Sequence, residues 1–189
     1  MALPLPTEEP LKCAGVLPYA YHPETKQLLI MLGQEDKSPG WVDSEKWSDF
    51  VGAPNKGELS HEEIAAREWW EETMGIHGTK DIYLEMIRLR GIKVMPAPDV
   101  AIYLVQVPYS PDVVATYNNM YTHLTKCKVD HPLWKGARYL STCPEGYAEK
   151  PRLGWFLYSS VASGEATAYR VSFWASITSA PMVKALSAL

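Results

Sequence analysis

The amino-acid sequence predicts an α/β fold. Three observations carry that prediction. Short apolar runs bounded by Gly, Pro and Asn read as strands, and one longer run free of Gly and Pro, lying between a capping residue and a glycine, reads as a helix. The composition, 47% hydrophobic and 21% charged over 189 residues, is that of a chain with enough apolar surface to close a core.

In chain order, residues 12–21 and 27–32 are apolar and flank the turn-forming His22-Pro23-Glu24-Thr25, so they are expected to form a hairpin or adjacent strands. A polar loop with Pro39-Gly40 follows, then a short strand over 47–51 and a loop over 52–57. Ser60 with Glu63 three residues on is a capping-box signature, and Gly75 stands where a helix C-terminus wants one, so 61–74 is read as a helix. Strands are expected at 82–90, 100–107 and 155–158, and a second helix at 112–126, introduced by Pro111. The apolar tail, 169–189, is interrupted by Pro181 and is expected to pack on the domain or on a partner copy in a homodimer. No repeat or low-complexity linker divides the chain, so residues 1–189 read as a single domain with a C-terminal helical extension.

A net charge of −4 argues against a broad non-specific nucleic-acid surface, which works through Lys and Arg. No run reaches the roughly 18 apolar residues of a membrane span, and the opening MALPLPTEEP lacks a basic start and an apolar stretch, so no membrane partner and a cytoplasmic location are expected. Cys13, Cys127 and Cys143 are an odd set without a CxxC pair, which reads as reduced thiols.

Six glutamates fall between Glu58 and Glu72. On the helix, Glu68, Glu71 and Glu72 are related as i, i+3 and i+4 and project from one side, while Ala65, Ala66, Trp69 and Trp70 occupy the other, apolar side. On the helix alone, a solvated acidic face and a metal site are both open readings. The preceding loop, with Gly52, Gly57 and Glu58, adds a permissive backbone and a further carboxylate, and hard cations such as Mg²⁺ take such oxygen ligands.

The segment GAPNKGELSHEEIAAREWWEETMGI, residues 52–76, resembles the Nudix box, in which Gly, five residues, Glu and seven residues precede Arg-Glu-U-x-Glu-Glu-x-Gly-U, with U bulky and apolar. Gly52 to Glu58 keeps the first spacing, and Arg67-Glu68-Trp69-x-Glu71-Glu72 keeps the centre. It departs from the pattern at two one-residue insertions, one between Glu58 and Arg67 and one at Met74, at Asn55 where many relatives carry an acid, and at Val51 where a second glycine is usual.

The resemblance implies a Nudix-type α/β/α sandwich with a mixed β-sheet. It implies Mg²⁺ or Mn²⁺ bound by Glu68, Glu71 and Glu72 with the backbone carbonyl of Val51 or Gly52, and Arg67 orienting Glu58. A loop before a late Trp-led strand often carries a further glutamate in this family. Glu149 is the candidate for that glutamate, with Glu145 second, and the resemblance implies that Glu149, or failing it Glu68, accepts the water proton. The implied activity is hydrolysis of a diphosphate linkage in a nucleoside diphosphate-linked substrate.

For substrate contacts, Lys56, Lys150 and Arg152 are candidates on phosphate, and Trp41, Trp47, Phe50, Tyr103 and Trp134 are candidates for stacking on a base. Capped RNA is a further candidate partner, which would make the chain an mRNA-cap hydrolase. A Nudix-fold binding or scaffold module without catalysis is the alternative of a different class.

Overall fold

The computed structural model describes residues 12–130 and 149–189, the side chains of 126–130 excepted. Its strands are β1 (Cys13–Tyr21), β2 (Leu28–Gln34), β3 (Trp47–Ser48), β4 (Phe50–Gly52), β5 (Ile92–Ala97), β6 (Val100–Gln106) and β7 (Arg152–Leu157). Its helices are α1 (His61–Glu72), α2 (Lys80–Arg90), α3 (Pro111–Asp130), α4 (Tyr158–Ala162), α5 (Val171–Ile177) and α6 (Ala180–Ser187).

The mixed sheet is organised around β1. One edge of β1 pairs in parallel with β6, from Cys13 opposite Val100 to Tyr19 opposite Gln106. Its other edge is shared by two antiparallel partners: β4 takes the first half, with Ala14 opposite Gly52, and β2 takes the second, with Tyr19 opposite Ile30. β2 then runs on to pair with β7, Gln34 lying opposite Arg152. The split edge of β1 leaves the end of β4 free to lead into the loop before α1.

Both faces of the sheet are covered, so the inner strands are apolar on alternate sides rather than amphipathic. Ala14, Val16, Ala101, Tyr103 and Val105 face a core shared with α1, α2 and α3. Leu17, Tyr19, Ile30, Leu32, Ile102 and Leu104 face a second core closed by Phe173, Ile177, Met182 and Leu186 of the C-terminal helices. The tail therefore packs on the sheet, and Pro181 sits in the first turn of α6, where its missing N–H would be unpaired in any case. Among the described residues no helix is long and apolar enough to cross a membrane.

Two expectations need correction. The segment read as a strand over 82–90 is helix α2. The segment is rich in apolar residues, but the buried pair is Tyr83 and Ile87, four apart on one helical face, with Tyr83 meeting Trp69 edge to face at 4.6 Å between centroids. Strand β5 was not foreseen: it is a sheet edge carrying Pro96, a residue that sheets tolerate at edges. At the other end of the chain, the late strand begins at Arg152 and Tyr158 already belongs to α4.

Candidate active site

Helix α1 is anchored at both ends by local chemistry. The Ser60 side chain accepts a hydrogen bond from the Glu63 backbone N–H, satisfying one of the free donors at the helix start, and the Glu63 carboxylate accepts one from Leu59 N at 2.8 Å, tying down the residue before the cap. At its C-terminus the second of the two extra residues of the 52–76 motif is absorbed by two successive left-handed residues, Met74 at φ +48 and Gly75 at φ +65. The insertion thus lies past Glu72 and leaves the helical spacing of the three glutamates intact.

Buried Trp69, Ala65 and Ala66 fasten α1 to the sheet and turn its acidic side toward a cleft of about 370 Å³. Glu68, Glu71, Glu72, Arg67 and Glu149 all line that cleft, together with Val51 and Gly52 from β4. Glycine at 52 lets the Glu68 carboxylate lie against β4, since a Cβ there would lie 1.9 Å from Glu68 Oε1.

Arg67 is the hub. Its Nε donates to Glu58 Oε1 at 2.7 Å, its Nη2 donates to the Ala53 carbonyl at 2.7 Å, and its Nη1 lies 2.9 Å from Glu71 Oε2 and 2.8 Å from Glu68 Oε1. Glu58 in turn accepts from Asn55 N at 2.7 Å, so the position that lacks the usual acid serves through its backbone. Burial opposes the charge on Arg67, but Glu58, Glu68 and Glu71 more than offset it and raise its pKa.

The three glutamates are held above the ordinary carboxylate range. Burial is the largest cause for each; Arg67 opposes it at Glu68 and Glu71, and the charge of Glu149 adds to it at both. Glu72 is the extreme, pushed up to about 8 by burial with Lys150 opposing. Lys150 Nζ lies 3.2 Å from Glu72 Oε1, donates to Ser48 Oγ at 2.9 Å and pairs closely with Glu35. The Tyr117 hydroxyl ties the same place from the backbone side, donating to the carbonyl of Lys150 at 2.6 Å with the Glu72 carbonyl 3.2 Å away.

Several residues expected at the substrate lie elsewhere. Lys150, expected on phosphate, is fully buried as the counterion of Glu72 and Glu35, because an ammonium enclosed beside two buried carboxylates has no freedom to reach solvent. Phe50 is a fully buried core side chain. Trp47 packs against Phe156 at 4.7 Å. Tyr103 is buried and donates its hydroxyl to Glu62. Lys56 and Arg152 are exposed and do not line the cleft. Trp41 does line it, with the Arg170 guanidinium over its ring at 5.7 Å. Trp134 and Glu145 lie outside the described residues.

Glu35, Ser48 and Arg170 were not foreseen. They come from the residue after β2, from β3 and from the approach to α5, and no local pattern links them. Lys150, next in the chain to Glu149, was seen but assigned to substrate.

The donor set suits a hard divalent cation. The cleft carries clustered carboxylate oxygens, and Glu72 Oε2 is buried without a hydrogen-bond partner. The carboxylates are nonetheless engaged by Arg67 and Lys150, and among the described residues no group of three acidic, His or Cys side chains is already gathered as a cage.

No family model and no curated protein matches the sequence. Among solved structures, a mutT/nudix family protein from Listeria innocua is similar at 14% identity, over 94% of this chain and 92% of that one, with a TM-score of 0.50. The C. elegans Ap4A hydrolase, in a binary complex, is similar at 15% identity over 94% of this chain and all of that one (100%), with a TM-score of 0.50. At such identities the likeness is one of architecture: the chain has the Nudix fold, an α/β/α sandwich around a mixed sheet.

Proposed function

We propose that this chain, built on the Nudix fold, is a Nudix hydrolase that cleaves a diphosphate linkage in a nucleoside diphosphate-linked substrate with Mg²⁺ or Mn²⁺. The observation that carries the reading is the shared lining of one cleft by Glu68, Glu71, Glu72 and Glu149, the first three at the helical spacing of the Nudix box.

Glu68, Glu71 and Glu72, with backbone oxygen from Val51 or Gly52, would hold the metal. Bound there, a divalent ion would neutralise phosphate oxygens and lower the pKa of a water. Arg67 keeps Glu58, Glu68 and Glu71 in fixed mutual orientation, a positioning role rather than a contact with the reacting atoms. Glu149 is exposed at the cleft and is free to take the proton of the attacking water. Trp41 and Arg170 stand at the same cleft and offer a face and a positive charge to the substrate. The likeness to an Ap4A hydrolase puts dinucleoside polyphosphates first among substrates to try, with capped RNA included. The free thiol of Cys13 accords with a cytoplasmic setting.

A second reading, a binding module without catalysis, draws support from one observation: Arg67 and Lys150 already neutralise the glutamates. A panel of dinucleoside polyphosphates, ADP-ribose, nucleoside triphosphates and capped RNA, assayed with Mg²⁺ and Mn²⁺, separates the two. Metal-dependent turnover that disappears in both Glu71→Gln and Glu72→Gln supports the hydrolase; tight binding with no turnover of any member supports the module.

A further inference from the structure

The ammonium of Lys150 sits among oxygens. A protonated lysine has three N–H donors and no acceptor, and three oxygens stand around this one: Glu35 Oε1, Ser48 Oγ at 2.9 Å and Glu72 Oε1 at 3.2 Å. The Lys150 side chain is fully buried and does not line the acidic cleft, whereas Glu35 and Glu72 do. Lys150 therefore lies inside the wall of the cleft, where it touches no substrate and acts only through the carboxylates it holds.

Two carboxylate oxygens and a hydroxyl are the kind of donors that a hard divalent ion takes. A lysine fixed among them has two effects. It neutralises Glu35 and Glu72 without a metal, and its compact charge repels any further cation brought to the same oxygens. Glu35 is also met by Arg170 Nη1 at 3.4 Å, which leaves it still less need of an ion. The second effect is on Glu72, which has one oxygen engaged and the other not. Glu72 Oε2 is buried without a hydrogen-bond partner, a costly state for a carboxylate oxygen. That atom is what Glu72 has left to offer an ion in the cleft. Arg67 treats the other two glutamates of the helix alike, engaging Glu68 Oε1 and Glu71 Oε2.

We propose that Lys150 is a positioning residue that takes the place of a divalent ion, so that the cleft of the free protein holds one Mg²⁺ or Mn²⁺ rather than two or more, with Glu72 giving that ion the single oxygen Oε2. This rests on the acidic cleft being the metal site of a hydrolase. The ammonium cannot leave to make room for a second ion, because it is enclosed and its three neighbours would keep two buried negative charges without a partner. The number of ions is thus set by a residue that belongs to neither the acidic helix nor the loop before it.

The test counts ions on the full chain. Mn²⁺ is titrated into the protein, and the unbound ion is read from its electron paramagnetic resonance signal. Wild type is expected to bind one Mn²⁺ per chain. Lys150→Ala opens the place among Glu35, Ser48 and Glu72; Lys150→Gln, the milder change, removes the charge and keeps an amide donor. Each should bind a second Mn²⁺. The melting temperature of each variant should also rise on addition of Mn²⁺ by more than that of wild type, since the extra ion binds only the folded chain. A purely structural role for Lys150 predicts the same count in all three proteins. Folding is checked by circular dichroism, and the count on wild type can overturn the proposal without either variant. Two or more ions on wild type, or a single ion on folded Lys150→Gln, would overturn it and leave the hydrolytic reading standing. If wild type binds no Mn²⁺, both readings fall.

Discussion

Lys150 Nζ stands 3.2 Å from Glu72 Oε1, and the two residues are 0% and 4% exposed. The pair joins a residue two places before the late strand to the last turn of α1, so the glutamate expected to hold metal is fixed by a cation that arrives from a distant part of the chain. A buried pair of this kind contributes little compared with an apolar substitute for both partners, but loss of one partner leaves an uncompensated charge.

Lys150→Met should therefore destabilise the protein by about 3–5 kcal/mol, because Glu35 and Glu72 lose their common counterion. Urea denaturation at neutral pH reads this directly. A change below about 1 kcal/mol would mean that the two carboxyls are accommodated without the ammonium.

Gly52→Ala tests the closeness of β4 to α1. The added methyl would meet Glu68 Oε1 at 1.9 Å, and the flexible side chain, rather than the strand, is expected to yield. The prediction is a fall in turnover of at least about tenfold, or about 1.4 kcal/mol in the barrier, with a melting temperature within a few degrees of wild type. Unchanged turnover would show that the position of Glu68 does not matter to the reaction.

Arg67→Lys keeps the charge and removes the fork. A single ammonium cannot serve Glu58, Glu71 and the Ala53 carbonyl together as the guanidinium does at 2.7, 2.9 and 2.7 Å. Turnover should fall with little change in KM for the substrate, since Arg67 orients carboxylates. A rise in KM with turnover intact would place Arg67 on the substrate instead.

Asp49 predicts the pH dependence of stability. Burial pushes its carboxyl from 3.8 up to about 7, with Lys150 and Arg170 opposing. The folded state then holds a proton that the unfolded chain has released, so stability is fully present below the unfolded value and is lost as pH rises between the two. Wild type should become less stable from about pH 4 to about pH 7, and Asp49→Asn should flatten that fall. Melting temperatures across this window decide it; parallel curves for the two proteins would refute the assignment to Asp49.

Some of this was legible in the residues themselves. Ser60, Glu63 and Gly75 delimit α1 through bonds made within a few residues. Arg67 and Glu58 meet as expected, since both lie on one short loop-helix unit. Where the signal depended on which face is covered, the reading failed: residues 82–90 are an apolar-rich run that was read as a strand, yet the burial of Tyr83 and Ile87 on α1 makes them a helix. Phe50 and Trp47 looked available to a base for the same reason, because an aromatic residue carries no mark of whether the sheet behind it is covered.

The sequence by itself determined that Glu68, Glu71 and Glu72 share a side of one helix, because 3.6 residues per turn is a property of the local backbone. Only the tertiary structure decided what that side faces. The β2–β7 register, with Gln34 opposite Arg152, brings Glu35 to Lys150 and Lys150 to Glu72, and the packing of the tail brings Arg170 to the same cleft. Glu35, Lys150 and Glu72 are buried charges that must be matched wherever they meet, and chains meet where long-range pairing puts them.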